Sequence, residues 1–168
     1  AILKDRFYST ISPTAAGDTL AHLARVRFQK SNFEFDTDGR WSIVVPIYEG
    51  RRLVDWAAFA ADNPDLRRAY HGAFAVGFDE AIWDMGFHPK RRFFLHFDTW
   101  SYLRAGCTAC LPVDWRRTGI EIVQRRVGGL VYPDNIQARK ADTQLRSVLR
   151  VPPSFVKALE TEMPNEHQ

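Results

Sequence analysis

The chain has 168 residues, 45% of them hydrophobic and 26% charged, with a formal net charge of +3 and a pI of about 9.0. That length suits one folded domain with a buried core, and the mild positive charge permits an anionic partner without requiring one. No apolar run reaches the ~20 residues of a membrane span, the opening AILKDRFYSTISP holds no apolar signal core, and two cysteines make no disulfide framework, so a cytoplasmic protein without membrane contact is expected.

In chain order, SPTAAGDTLAHLARVRF (residues 12–28) has the spacing of an amphipathic helix. Ser12 suits its N-cap, Pro13 its first turn, and Leu20, Leu23 and Ala24 give an i, i+3, i+4 apolar stripe. SNFEF alternates polar and apolar residues, as a half-buried strand does. DTDGR is a turn in which Asp38-Gly39 suits positive-φ positions. WSIVVPIY and LVDWAAFA follow as strands around the turn EGRR, so Ser31 to Ala60 reads as an antiparallel meander. Pro46 has no N–H to give a ladder and predicts an edge or a bulge. ADNPDLRRAYHG reads as a polar connection opened by Asn63-Pro64. AFAVG is a short strand, and Asp79 suits the cap of a short helix, EAIWDMG, stopping at Gly86.

From Arg92 the pattern changes. FFLHF is a continuous apolar run, as in a strand covered on both faces. DTWSYLRAG follows as a helix with Asp98 or Thr99 as cap and Gly106 as stop. CTACLPV is a strand, DWRRTGIEIVQRR is partly helical, and GLVYP is a strand. DNIQARKADTQLRSVLR is a helix with Ile136, Leu145, Val148 and Leu149 on one side. Strands alternating with helices predict a parallel sheet with right-handed crossovers. The expected fold class is α/β, with an N-terminal antiparallel β meander joined to a parallel βαβαβα unit. The expected organisation is a single domain over residues 1–168. Residues 12–90 hold a helix and the meander, 91–150 the parallel βα unit, and 151–168 a C-terminal helix and tail.

Ligands bind such sheets at the carboxyl ends of the strands. Those ends carry Asp98, Asp114 and Asp134. Three converging carboxylates would suit Mg²⁺, which takes hard oxygen ligands. Against this, capping a helix is a routine role for Asp, and Asp98 and Asp134 stand where caps belong. Cys107 and Cys110 form a Cys-x-x-Cys pair that follows a helix and enters a strand. It lacks the helix N-terminus that activates a redox thiol, and zinc would need two more ligands, for which His88 and His96 are the candidates, so two buried structural thiols are expected. No nucleophile turn and no phosphate-cradling loop is present. His96, at a strand end, is expected to be structural, as is the use of Trp100 and Trp115 in packing. Basic residues come in pairs, which exposed turns commonly carry, and FHPKRRFF and DWRRTG place arginines beside aromatics. Lys90, Arg91, Arg92, Arg116, Arg117, Arg139 and Lys140 are the candidate nucleic-acid contacts, with phosphate gripped by Arg and bases stacked on aromatic rings.

A short strand, a helix ending in Ala-Gly, a second strand, and a strand leading into DNxxxRKA resemble the Toprim domain of phage and plasmid primase-type proteins. GRWSIVVPIYEGRRLVDWAAF is similar to the segment that precedes Toprim there, and the likeness runs from about Gly39 to Leu149. The resemblance implies a Toprim-like fold. In that family a Glu-Gly pair and an Asp-x-Asp motif hold Mg²⁺ for phosphoryl transfer. Here those positions fall on His96-Phe97 and on Pro133 and Asn135, with Asp134 between. The resemblance therefore implies the fold without its metal site and without a cofactor.

The expected function is a non-catalytic, primase-related nucleic-acid-binding or replication-accessory protein of a mobile element, with DNA or RNA as partner. A protein-interaction or assembly module, with a protein partner or a homo-oligomer, is the alternative. A metal-dependent nuclease or nucleotidyl transferase using Mg²⁺ on Asp98, Asp114 and Asp134 is the second alternative.

Overall fold

The computed structural model describes residues 8–13, 20–87 and 89–149. Strands β1 (Tyr8–Pro13), β2 (Leu20–Phe28), β3 (Phe33–Phe35), β4 (Arg40–Glu49), β5 (Arg52–Ala60) and β6 (Asn63–Ala69) form one sheet in the order β1-β2-β4-β5-β6, with β3 paired to β2. Every pairing in it is antiparallel. The meander is thus longer than its sequence signal. Residues 12–28 are not a helix: Ser12 and Pro13 close β1, and His22, expected on that helix, lies in β2. β2 is hydrogen-bonded on both edges, to β1 and β3 on one side and β4 on the other, and these tertiary partners override the helical spacing. Ala24 and Val26 alternate into one core while Ala21 enters another.

The stretch read as a polar connection contains β6. It is an edge strand paired with β5 alone, which is where Pro64 is tolerated. Pro46 obeys the same rule within β4. The β2 ladder on β4 ends at Val44, so Pro46 sits beyond it, one residue before the irregularity at Ile47/Tyr48. Gly50 takes a positive φ of 60° in the β4–β5 turn. Gly39 is different, since neither it nor Asp38 has a positive φ. A Cβ on Gly39 would lie 2.4 Å from the Val26 carbonyl oxygen, so the glycine serves close strand approach.

The second half runs β7 (Ala75–Val76), α1 (Phe78–Phe87), β8 (Phe93–Phe94), α2 (Thr99–Arg104), β9 (Leu111–Pro112), α3 (Trp115–Gln124), β10 (Leu130–Val131) and α4 (Asn135–Leu149). α1 begins before Asp79 and continues through Gly86, so Asp79 lies in its first turn and Gly86 does not end it. β8 and β10 pair in parallel, Leu95 and Cys110 make a parallel bridge, and β7 pairs with β9 antiparallel. The whole is a mixed α/β fold in which an antiparallel meander precedes short strands alternating with helices. The expected C-terminal helix, His88 and His167 lie outside the described residues.

One core joins the halves: Ile43, Val45, Ile47 and Phe59 of the sheet meet Val76, Tyr102 and Leu111. Each such large side chain contributes about 1.5–3 kcal/mol when fully buried. Val44 and Ala58 face the other side of the sheet, with Phe33, and a third cluster gathers Phe78, Met85, Phe93 and Leu95. On α4 the inward stripe is Gln137, Ala141 and Leu145, while Ile136, expected inside, is 68% exposed. Gln137 displaces it because its amide has buried partners, described below.

The joint between the halves is also polar. Asp55 of β5 is buried and accepts hydrogen bonds from the backbone N–H groups of Trp56, His71 and Ala73, which fixes the chain as it leaves the sheet. Arg67 of β6 is buried and donates from both terminal nitrogens to the Phe97 carbonyl at 3.1 Å, and from Nη1 to Thr99 Oγ1 at 3.3 Å. The Thr99 hydroxyl in turn donates to the Pro64 carbonyl.

Arg67→Met is expected to destabilise the fold by about 2–4 kcal/mol, because the Phe97 carbonyl loses charged donors in a dry site. Urea unfolding measures it, and a change within error would show the contact to be dispensable. Gly39→Ala is expected to cost about 1–3 kcal/mol by forcing β2 and the turn apart, read in the same assay against Gly50→Asn as a control in open space.

Candidate functional site

The ends of β8, β9 and β10 lead into α2, α3 and α4, and an aspartate stands at each junction. Asp98 Oδ1 accepts from the Ser101 N–H, Asp114 Oδ1 from the Arg117 N–H and Asp134 Oδ1 from the Gln137 N–H, at 2.8–3.0 Å. Each of the three is therefore engaged as a helix cap, a role that satisfies a first-turn donor. Among the described residues no group of three His, Cys, Asp or Glu side chains is placed to hold a metal ion. Hydrogen bonding from Gln137 keeps the Asp134 carboxyl below the usual carboxylate range.

Gln137 ties these caps together. Its Oε1 accepts from the Phe97 N–H at 3.0 Å, and its Nε2 donates to Ser101 Oγ and to Asp134 Oδ2. Phe97 is thus held at both backbone groups, by Gln137 at the N–H and by Arg67 at the carbonyl. Its ring lies 5.2 Å from that of Trp115, tilted 34°, and Lys140 Nζ stands 5.9 Å from its centroid. A strand end, the first residue of α3 and the second turn of α4 therefore meet in one aromatic and cationic cluster. Arg116 and Arg139 are exposed beside it in sequence, and Trp100, 43% exposed, opens α2. The packing role expected of Trp115 is partly met, since it lies half-buried against the third cluster.

The other predicted contacts are elsewhere. Lys90, Arg91 and Arg92 precede β8, whereas Phe97 follows it. Arg117 turns away from the rim and donates to the Gly72 carbonyl, its guanidinium 5.7 Å from the Phe74 ring. Of the seven basic residues expected at a nucleic-acid site, Lys140 is placed at the Phe97 ring, Arg116 and Arg139 are exposed one residue from Trp115 and Lys140 in the chain, and Arg117 is engaged elsewhere.

His96 and Pro133, two positions of the Toprim resemblance, line a hollow of about 310 Å³ with Leu95 and Tyr132. His96 is 6% exposed and edge-on to Tyr102 at 5.8 Å. Burial lowers its pKa, against the Asp98 charge and a hydrogen bond to the Thr108 backbone, so the ring is neutral at pH 7. Cys107 and Cys110 are free and buried, and they face different clusters, as two structural thiols would. Burial pushes the Cys107 thiol up to about 11 and Cys110 further. Arg67, Gln137 and Tyr102 escaped sequence reasoning. Gln137-Ala141-Leu145 does carry an i, i+4, i+8 spacing that would have found the first of that set.

No known protein family matches the sequence, and neither does any curated protein or solved structure.

The thiol environment makes a direct prediction. At pH 8 a thiol with pKa about 11 is thiolate in about one molecule per thousand. Ellman's reagent is expected to react with the native chain at least about a hundredfold more slowly than with the urea-unfolded chain. Rapid labelling of both cysteines in the native state would contradict this burial.

Proposed function

We propose that the chain binds single-stranded nucleic acid at the rim formed by Phe97, Trp115 and Lys140, without catalysis. The observation that carries the reading is the Lys140 ammonium over the Phe97 ring, itself packed on Trp115 at a strand end. A base has a π-face for an aromatic platform, and its phosphate needs cations within a nucleotide's reach, so the pair fits a single strand better than a duplex. Arg116 and Arg139 extend the positive charge, and Trp100 offers a second exposed ring. Capping turns one oxygen of each of the three aspartates onto a backbone N–H, which leaves Arg116, Arg139 and Lys140 as the groups that would meet phosphate.

The strand and helix order from β8 to α4, with parallel register between β8 and β10, supports placing this half among parallel, Toprim-like βαβαβα units. On that reading the chain is a primase-related accessory protein of a mobile element that works in the cytoplasm. His96, Pro133 and Asn135 stand where that family's metal-binding carboxylates would be, which favours binding over phosphoryl transfer.

A second reading, an assembly module, is favoured by one observation: Trp83 and Phe87 of α1 are 68% and 73% exposed and packed on each other at 5.1 Å. Light scattering tests it, since a concentration-dependent dimer lost in Trp83→Ser would support it and a monomer throughout would remove it.

Fluorescence anisotropy with labelled single- and double-stranded DNA tests the leading reading. Single strands are expected to bind more tightly, with affinity falling as salt rises and indifferent to Mg²⁺. Replacing Arg116, Arg139 and Lys140 together by Ala is expected to weaken binding at least about tenfold, and replacing Lys90, Arg91 and Arg92 to weaken it less. Equal losses from the two triples, or none from the first, would reject the rim.

A further inference from the structure

The hollow at the end of β8 is lined by a polar atom that the fold leaves unused. His96 forms part of its wall and is 6% exposed. A neutral imidazole carries a proton on one ring nitrogen and a lone pair on the other. Nδ1 of His96 is buried and has no hydrogen-bond partner among the described residues. The hydrogen bond to the Thr108 backbone therefore comes from Nε2, which places the proton there and leaves Nδ1 as an acceptor. The ring is held in place: the His96 N–H donates to the Cys110 carbonyl at 2.8 Å, and Tyr102 lies edge-on to the imidazole. The Thr108 hydroxyl, on the same wall, donates to the Ala105 carbonyl instead. A buried acceptor left unpaired is costly, so such atoms ordinarily have a partner.

The rest of the hollow is largely apolar. Phe94 and Val131 stand opposite each other in the β8–β10 ladder, and Tyr132 and Pro133 continue the wall. Among the described residues, the charged side chain that lines it is Asp84 of α1, which is exposed. The volume of about 310 Å³ lies at the lower end of small-molecule sites and suits a molecule of one or two rings.

We propose that this hollow binds a small, neutral, planar aromatic molecule bearing one N–H or O–H donor, of the azole, indole or phenol class. His96 Nδ1 accepts the donor, and the apolar walls take the ring. An anion would meet Asp84 and no lysine or arginine among the lining residues. A cation would leave water for apolar walls with one exposed carboxylate as its counter-charge. A ligand without a donor would leave Nδ1 buried and unpaired. The inference is independent of nucleic-acid binding, since none of these residues belongs to the rim of Phe97, Trp115 and Lys140.

Titration calorimetry on the full chain tests it by comparing indole with 1-benzothiophene, which has the same two-ring shape and no N–H. Long-range proton–nitrogen correlation spectra follow the His96 ring nitrogens in the same titration. Indole is expected to bind saturably and at least about tenfold more tightly than benzothiophene, with the Nδ1 resonance moving as it accepts the donor. His96→Phe keeps a ring and removes the acceptor, and is expected to erase that preference. Val131→Phe, at a half-buried strand position, is expected to fill the hollow and weaken indole binding at least about tenfold, with circular dichroism checking both folds. Equal affinity for the two probes in the unmodified chain overturns the proposal, as does the absence of saturable indole binding at millimolar concentration. An Nδ1 resonance that indole leaves unmoved also overturns it, because a bound water would then already serve that atom.

Discussion

A buried guanidinium holds the two halves of this protein in register. Arg67 leaves the edge strand β6 and places two N–H groups on one carbonyl, that of Phe97, where β8 ends. Burial draws its pKa down to about 10, with the charges of Asp65 and Asp98 acting in the opposite direction, so it remains a cation at neutral pH. A charge in a dry site is tolerated only when its donors are used, which makes the geometry exacting. The consequence reaches the surface. With Phe97 held by Arg67 at the carbonyl and by Gln137 at the N–H, its ring is presented to Trp115 and Lys140. The rim thus depends on a residue of the sheet that never touches it with its own charge.

Aspartates set the helix starts of the second half. The caps Asp98, Asp114 and Asp134 are turned onto backbone donors at the starts of α2, α3 and α4, which suits the positive end of each helix dipole. The carboxylates keep their charge, and Lys140 stands near enough to Asp134 to favour its ionised form. The carboxylates of α1 instead face a cleft beside the β4–β5 hairpin. Basic residues thus follow the caps of α3 and α4, while α1 sets Asp79, Glu80 and Asp84 beside the hairpin.

The sequence was most legible where local signals agreed with the tertiary context. The strand-forming runs WSIVVPIY and LVDWAAFA around the turn EGRR, and the succession from Phe93 to Leu149, located the strands and helices of β4, β5 and the second half. It misled where tertiary pairing decided the outcome. Residues 20–28 carry a helical stripe, yet β4 on one edge and β1 and β3 on the other draw them into a strand. NPDLRRA looked like a polar link because its inward residue is an arginine, and only the Phe97 carbonyl across the joint explains why a charge is buried there. Gly39 was legible as a necessary glycine but for the wrong reason, since its neighbour is the Val26 carbonyl and not a left-handed turn. Of the site, Lys140 and Trp115 were visible in the sequence as residue types. Gln137 was not, because a buried amide is justified only by partners distant in the chain.

The most direct test of the rim follows the indole N–H resonances of the five tryptophans while an oligodeoxythymidylate is added. The account predicts saturable shifts for Trp115 and Trp100, with Trp41, Trp56 and Trp83 unmoved, because Trp115 packs on Phe97 and Trp100 is exposed in the first turn of α2, two residues after Asp98. Shifts confined to Trp83, or none at all at low salt, would contradict it.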